Sequence, residues 1–168
     1  MSSSAAATPD EGPRHDVAVT SAATDDHADD DLVLRPIGSV ASPLGSREDA
    51  PRQPDEGAPG AAIVILPRYR AAVTGTTAGD RVVVLTWLHL GDRTALTVRP
   101  RGDAAREPTG VFATRSPDRP NPIGLHEVTV VAVEDTPDGT RVTVDGLEAV
   151  DGTPVVDLKP ALGRIDDR

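Results

Sequence analysis

Residues 110–125 read Gly-Val-Phe-Ala-Thr-Arg-Ser-Pro-Asp-Arg-Pro-Asn-Pro-Ile-Gly-Leu, which sets Arg115 and Arg119 among Thr114, Ser116, Asp118 and Asn121. Pro117, Pro120 and Pro122 fix φ, remove backbone donors and push the residues before them toward extended conformations, so the segment cannot be helical. A restrained loop dense in donors loses less entropy on closing around a ligand than a flexible one. Its two guanidinium groups suit an anionic or carbonyl-bearing ligand. Taken alone, a Pro-rich surface turn with solvated charges is the simpler reading of such a loop. A second polar block stands at residues 146–160, Gly-Leu-Glu-Ala-Val-Asp-Gly-Thr-Pro-Val-Val-Asp-Leu-Lys-Pro.

The elements that must position these blocks read as strands. Residues 32–40, 62–66, 81–88, 94–99, 127–134 and 140–144 are short, rich in β-branched residues and bounded by Gly or Pro. Pro137-Asp138-Gly139 makes the last two a hairpin. One short helix is expected within residues 68–78. The expected fold is mainly β with mostly antiparallel strands and few short helices, either a barrel or a sandwich. Residues 43–60 form a loop long enough to be functional.

A chain of 168 residues implies one domain with a real core, and one Phe, one Trp and one Tyr leave that core to Val, Leu, Ile and Ala. The absence of Cys excludes disulfides, thiolate metal sites and Cys nucleophiles. The net charge of −10 argues against a phosphate-rich partner, but it is unevenly spread. Residues 1–31 hold eight acids against Arg14, giving −7, and the low apolar content of this tail predicts disorder. The folded domain, residues 32–168, carries 16 basic and 19 acidic residues, and Arg93, Arg99, Arg101, Arg106, Arg115 and Arg119 crowd one stretch of it. No apolar run is long enough to cross a bilayer and the N-terminus lacks signal-peptide features, so a cytoplasmic location without a membrane partner is expected. There is no Gly-x-Gly-x-x-Gly, P-loop, Gly-x-Ser-x-Gly or His-Glu-x-x-His sequence. His89 and His126 with Asp151 or Asp157 have no characteristic ligand spacing, so no metal is expected.

Arg-Pro-Asn-Pro-Ile-Gly-Leu at 119–125, followed by Asp-Gly-Thr-Pro-Val-Val-Asp-Leu-Lys-Pro at 151–160, resembles the TsaA-like, or TrmO, family of tRNA methyltransferases. Ile37-Gly38-Ser39-Val40-Ala41-Ser42-Pro43 and Pro51-Arg52-Gln53 add to the likeness, which spans residues 34–160 in the right order. The resemblance selects a small β-barrel over a sandwich. It implies S-adenosyl-L-methionine as cofactor, N6 of threonylcarbamoyladenosine next to the anticodon as target, tRNA as partner and a homodimer.

Carried onto matching positions, the resemblance places cofactor contacts at Gln53, His89, Leu90, Arg115, Leu125, Gly146, Leu147, Glu148 and Ala149. Adenine would meet apolar walls such as Leu125 and Leu147, and the methionine carboxylate would meet Arg115. Methyl transfer is an in-line displacement at a sulfonium, and a carbamoyl-substituted nitrogen must shed a proton. Asp151, Asp157 or a neighbouring carbonyl is the candidate acceptor, with Lys159 completing the catalytic set. Arg119 and Asn121 are expected on the substrate side, and Arg119 or Lys159 would pair with the threonyl carboxylate. Two alternatives stay open: a methyltransferase of this fold acting on a small metabolite or peptide, and a non-catalytic binding module.

Overall fold

A computed structural model of the chain describes residues 33–162, apart from 52, 54, 55, 100, 101 and 104. The expected acidic tail, residues 1–31, lies outside the described residues. Among the described residues eight strands follow in order: β1 (Gly38–Ala41), β2 (Ala61–Ile65), β3 (Arg81–Trp87), β4 (Thr97–Val98), β5 (Thr109–Gly110), β6 (Ile123–Thr136), β7 (Gly139–Val144) and β8 (Pro154–Pro160). Six of them pair in the closed order β1-β2-β7-β6-β3-β8, while β4 and β5 form a separate two-stranded ladder. Every pairing is antiparallel.

Alternation along the strands builds the interior. Val82, Val84 and Thr86 of β3 point inward, as do Gly124, His126, Val128 and Val130 of β6. They meet Val40, Ile63, Ile65, Val142, Val144, Leu147 and Val155 in a core made of Val, Ile, Leu and Ala, as the lack of aromatics predicts. Burying each such side chain contributes roughly 1.5–3 kcal/mol.

The expected hairpin is present, with Thr136 paired to Gly139 across Pro137 and Asp138. Other boundaries differ. The expected first strand, 32–40, begins only at Gly38, past Pro36, and the expected 94–99 strand shrinks to Thr97–Val98. The expected helix is a 3₁₀ helix, Pro67–Val73, with a proline in its first turn, and a 3₁₀ turn at Val111–Ala113 opens the segment expected to be non-helical, ahead of its first proline. β6 starts at Ile123, immediately past Pro122, and so includes residues expected to be loop. β8 has no counterpart among the expected strands, and it carries two prolines. Both stand at its ends, where a missing donor is tolerated. The loop 43–60 contains no strand among its described residues.

Candidate functional site

The Pro-rich loop is held from within. Arg119 donates through Nε to the Ser116 carbonyl at 2.8 Å and through a terminal nitrogen to the carbonyls of Val111, at 2.8 Å, and Thr114. Thr114 Oγ1 accepts from the Ser116 amide at 3.2 Å, and Ser116 Oγ accepts from the Asp118 amide at 3.2 Å. The guanidinium expected to await substrate is therefore half-buried and closes its own loop. Arg119 therefore has a loop-closing role that the sequence did not suggest: Nε and one terminal nitrogen are taken up by the loop's own carbonyls.

Asp118 ties that loop to two others. Its Oδ1 accepts from the Asp92 amide at 2.8 Å and its Oδ2 from Arg47 at 3.0 Å, while a second Arg47 nitrogen donates to the Leu90 carbonyl at 2.9 Å. The Arg47 hydrogen bond, opposed by burial and aided by the Asp92 amide, holds the Asp118 carboxyl below the usual range, and the same contact raises Arg47. The Leu88 amide donates to the Pro122 carbonyl at 2.7 Å, and a Cβ on Gly91 would overlap the Pro117 carbonyl oxygen. Residues 88–92, which include His89 and Leu90, thus lie directly against 117–122.

At the junction of β3 and β6 is a buried polar chain. His126, 4% exposed, faces Thr86, 0% exposed, with Nε2 2.9 Å from Oγ1. On the other side, His126 Nδ1 is 2.8 Å from Glu148 Oε1. The second Glu148 oxygen, Oε2, is buried without a hydrogen-bond partner among the described residues. Burial pushes the Glu148 carboxyl up, but the His126 hydrogen bond and charge, joined by the lesser effect of the Arg115 charge, outweigh it and hold the group below its ordinary value. A desolvated carboxylate with one oxygen bound and the other unmatched keeps one acceptor whose loss of hydration nothing in the protein offsets.

The fold draws some of the expected residues together and leaves others apart. Arg115 is exposed, and its charge is the smallest of the influences that hold Glu148 low. Leu147 and Ala149 are 0% and 3% exposed and pack in the core, so Leu147 cannot be the adenine wall expected of it, and its amide is taken up by the Pro59 carbonyl at 2.9 Å. Gly146 is half-buried beside them. Leu125 and Leu90 are half-exposed, with Leu125 on the outward face of β6, and His89 is exposed. Gln53 is exposed in the 43–60 loop, where its carbonyl accepts from the Glu56 amide at 3.1 Å. Asn121 is exposed, its carbonyl accepting from the Ile123 amide at 2.8 Å.

The catalytic candidates sit in two places. Asp151 lies in a turn, where its Oδ1 accepts from the Ser42 amide at 3.0 Å, and it borders an open hollow of about 560 Å³ shared with Pro43, Ala62 and Arg141. Neither His126 nor Glu148 lines that hollow. Asp157 and Lys159 point outward from β8 and pair with each other at 2.8 Å. Asp157 stands opposite Leu85, which stands opposite Leu125, so the three form one outward row across β8, β3 and β6. Among the described residues no group of three or more His, Cys, Asp or Glu could hold a metal.

Sequence reasoning passed over Thr86 and Asp118 as anchors and weighed His126 only as a metal ligand. The available signal was alternation: had the strand been started at Ile123, His126 would have fallen on the inward face, where a lone polar residue needs a partner.

Residues 39–167 match the model of the tRNA-methyltransferase O N-terminal domain. The chain belongs to the TrmO family. A "probable S-adenosyl-L-methionine-binding protein" of Methanothermobacter thermautotrophicus is 43% identical over 83% of the chain and 96% of its own length. The tRNA (adenine(37)-N6)-methyltransferase of Escherichia coli is 39% identical over 75% of this chain and 56% of that enzyme. The crystal structure of TrmO from Pseudomonas aeruginosa superposes with a TM-score of 0.59 at 32% identity, covering 81% of this chain and 58% of that one. The chain therefore spans nearly all of the archaeal relative but somewhat under three-fifths of the two bacterial TrmO-family proteins. The TrmO match takes in the Pro-rich loop, the His126–Glu148 pair and β8 together.

Proposed function

We propose that this chain is an S-adenosyl-L-methionine-dependent methyltransferase acting on tRNA, with N6 of threonylcarbamoyladenosine beside the anticodon as the methylated atom. Family membership and the printed activity of the Escherichia coli relative support a tRNA adenine as substrate. The observation that carries the site assignment is the buried Glu148 carboxylate, with one oxygen bound to His126 and the other unmatched, under the charge of Arg115. The cofactor's hydroxyl and ammonium groups are donors for such a carboxylate, and its carboxylate suits Arg115, so the donor set fits. When bound, the cofactor supplies a methyl group on a sulfonium.

The chain's own residues do the rest. Glu148 and Arg115 orient the polar ends of the cofactor, the backbone of 146–149 reads its base, and His89, Leu90, Leu125 and Gln53 line it and exclude water. Leu147 and Ala149 anchor that backbone from the core. Arg119 keeps the loop closed, and Lys159 or a remaining Arg119 donor pairs with the threonyl carboxylate, with Asn121 on the same side. Asp157 or Asp151 accepts the proton that the nitrogen loses. The closed sheet is read as the family's small β-barrel. Exposed Ile123 and Val131 of β6 are read as a face that a second copy covers.

Calorimetry with S-adenosyl-L-methionine, followed by a labelled-methyl assay on tRNA with and without the threonylcarbamoyl group, tests this. Cofactor binding and transfer to the modified tRNA alone are expected. No cofactor binding by the folded protein sinks the proposal, and transfer to a small metabolite or peptide in place of tRNA supports the alternative substrate.

A further inference from the structure

We infer that His126, backed by Thr86, is a positioning residue that fixes Glu148 so that its free oxygen is presented to a hydroxyl or ammonium donor of the cofactor; this rests on the function proposed above. The geometry dictates the proton arrangement. Glu148 is ionised and can only accept, so the ring atom 2.8 Å from it, Nδ1, must carry a hydrogen. In the neutral ring Nε2 is then the acceptor of the Thr86 hydroxyl 2.9 Å away, and in the charged ring Nε2–H donates to that hydroxyl while Nδ1–H still meets Glu148. Thr86, His126 and Glu148 therefore form one chain in either state, and it runs from the interior of the sheet to the unmatched Glu148 Oε2.

Burial makes the chain matter. A Glu side chain has three torsions, and at the surface it would sample many rotamers, so its carboxylate would have to be ordered each time a ligand bound. Here the Nδ1–H pins Oε1 and so fixes where Oε2 points. The neighbouring strands leave little room for an alternative: Gly124 lies against both Thr86 and His126, and a Cβ there would fall 2.7 Å from the imidazole. His126 touches no cofactor in this scheme; it acts through Glu148.

The test pairs two variants of similar size. The amide nitrogen of His126→Asn occupies the place of Nδ1 and keeps the donor, whereas His126→Leu has none. By calorimetry, His126→Leu is expected to bind S-adenosyl-L-methionine about tenfold more weakly, the loss of one charge-assisted hydrogen bond at its lower limit, with His126→Asn within about threefold of the parent. In a Glu148→Gln background, His126→Leu should cost nothing further. Equal losses for Leu and Asn, no loss for Leu, or a further loss in the Glu148→Gln background overturns the inference. Nitrogen chemical shifts of the His126 ring, which do not depend on the variants folding, are expected to report a hydrogen on Nδ1, and a ring protonated at Nε2 alone refutes it. If the parent binds no cofactor at all the proposed function fails, while the ring shifts still report whether this chain of hydrogen bonds exists.

Discussion

Gly124→Ala probes the packing that holds the candidate site together. Gly124 is buried on the inward face of β6, opposite Thr86 of β3. A Cβ there would overlap Thr86 Oγ1, approach His126 Nε2 to 2.7 Å and meet Leu88 Cδ2 at 3.0 Å. Thr86 stands in β3 between β6 and β8, and His126 is paired to Val84 of β3, so these atoms cannot all retreat. Overpacking a filled interior by one methyl costs about 1–3 kcal/mol. Separating Thr86 from His126 adds about 1 kcal/mol, since both polar groups are buried and neither can turn to water. A total of about 2–4 kcal/mol corresponds to a fall in Tm of roughly 10 °C for a domain of this size. Gly45→Ala is the internal control: nothing lies within 4 Å of a Cβ built there, and a change within about 0.5 kcal/mol is expected. Calorimetric melting of the three proteins decides the matter. If Gly124→Ala melts within two or so degrees of the parent, the close packing of Thr86, Gly124 and His126 is not the constraint argued above.

Arg115→Ala removes the exposed cation whose charge reaches Glu148, and is expected to weaken S-adenosyl-L-methionine binding by about ten- to a hundredfold in calorimetry while circular dichroism stays unchanged. Asp118→Asn keeps an acceptor for the Asp92 amide but loses the charge that holds Arg47. Because both partners of that pair are partly solvated, stability should change by under about 1 kcal/mol, and the loss should instead appear as weaker cofactor binding when the 43–60 and 88–92 loops loosen. Glu148→Gln should flatten the acid limb of stability. The folded Glu148 titrates below the unfolded value, so its contribution is complete above about pH 5 and is lost as pH falls through the lower, folded value. Urea unfolding between about pH 6 and pH 3 should show a shallower decline for the variant than for the parent, and parallel curves would count against an ionised, His126-bound Glu148.

The parts of this fold that could be read from the chain are those whose signal is local. Val82, Val84, Val128, Val130, Val142 and Val144 alternate with outward residues over whole strands, and Pro137-Asp138-Gly139 dictates a turn by its own backbone limits, so strand identity and the hairpin follow from neighbours in sequence. β8 has no counterpart among the expected strands: it runs from Pro154 to Pro160, and only the sheet shows that these cap a strand bonded to β1 and β3. The Pro-rich loop was legible as a site, but the division of labour within it was not. Arg115 and Arg119 are chemically identical, and only the positions of the Val111, Thr114 and Ser116 carbonyls decide that Arg119 closes the loop while Arg115 stays exposed. Glu148 shows the same limit from the other side. Between the buried Leu147 and Ala149 an acidic residue reads as an outward, solvated one, and its value as a ligand depends on His126, twenty-two positions away, meeting it at 2.8 Å. Chemistry of this kind is a long-range property: residue types and spacing supply the groups, and strand register decides which oxygen is left without a partner.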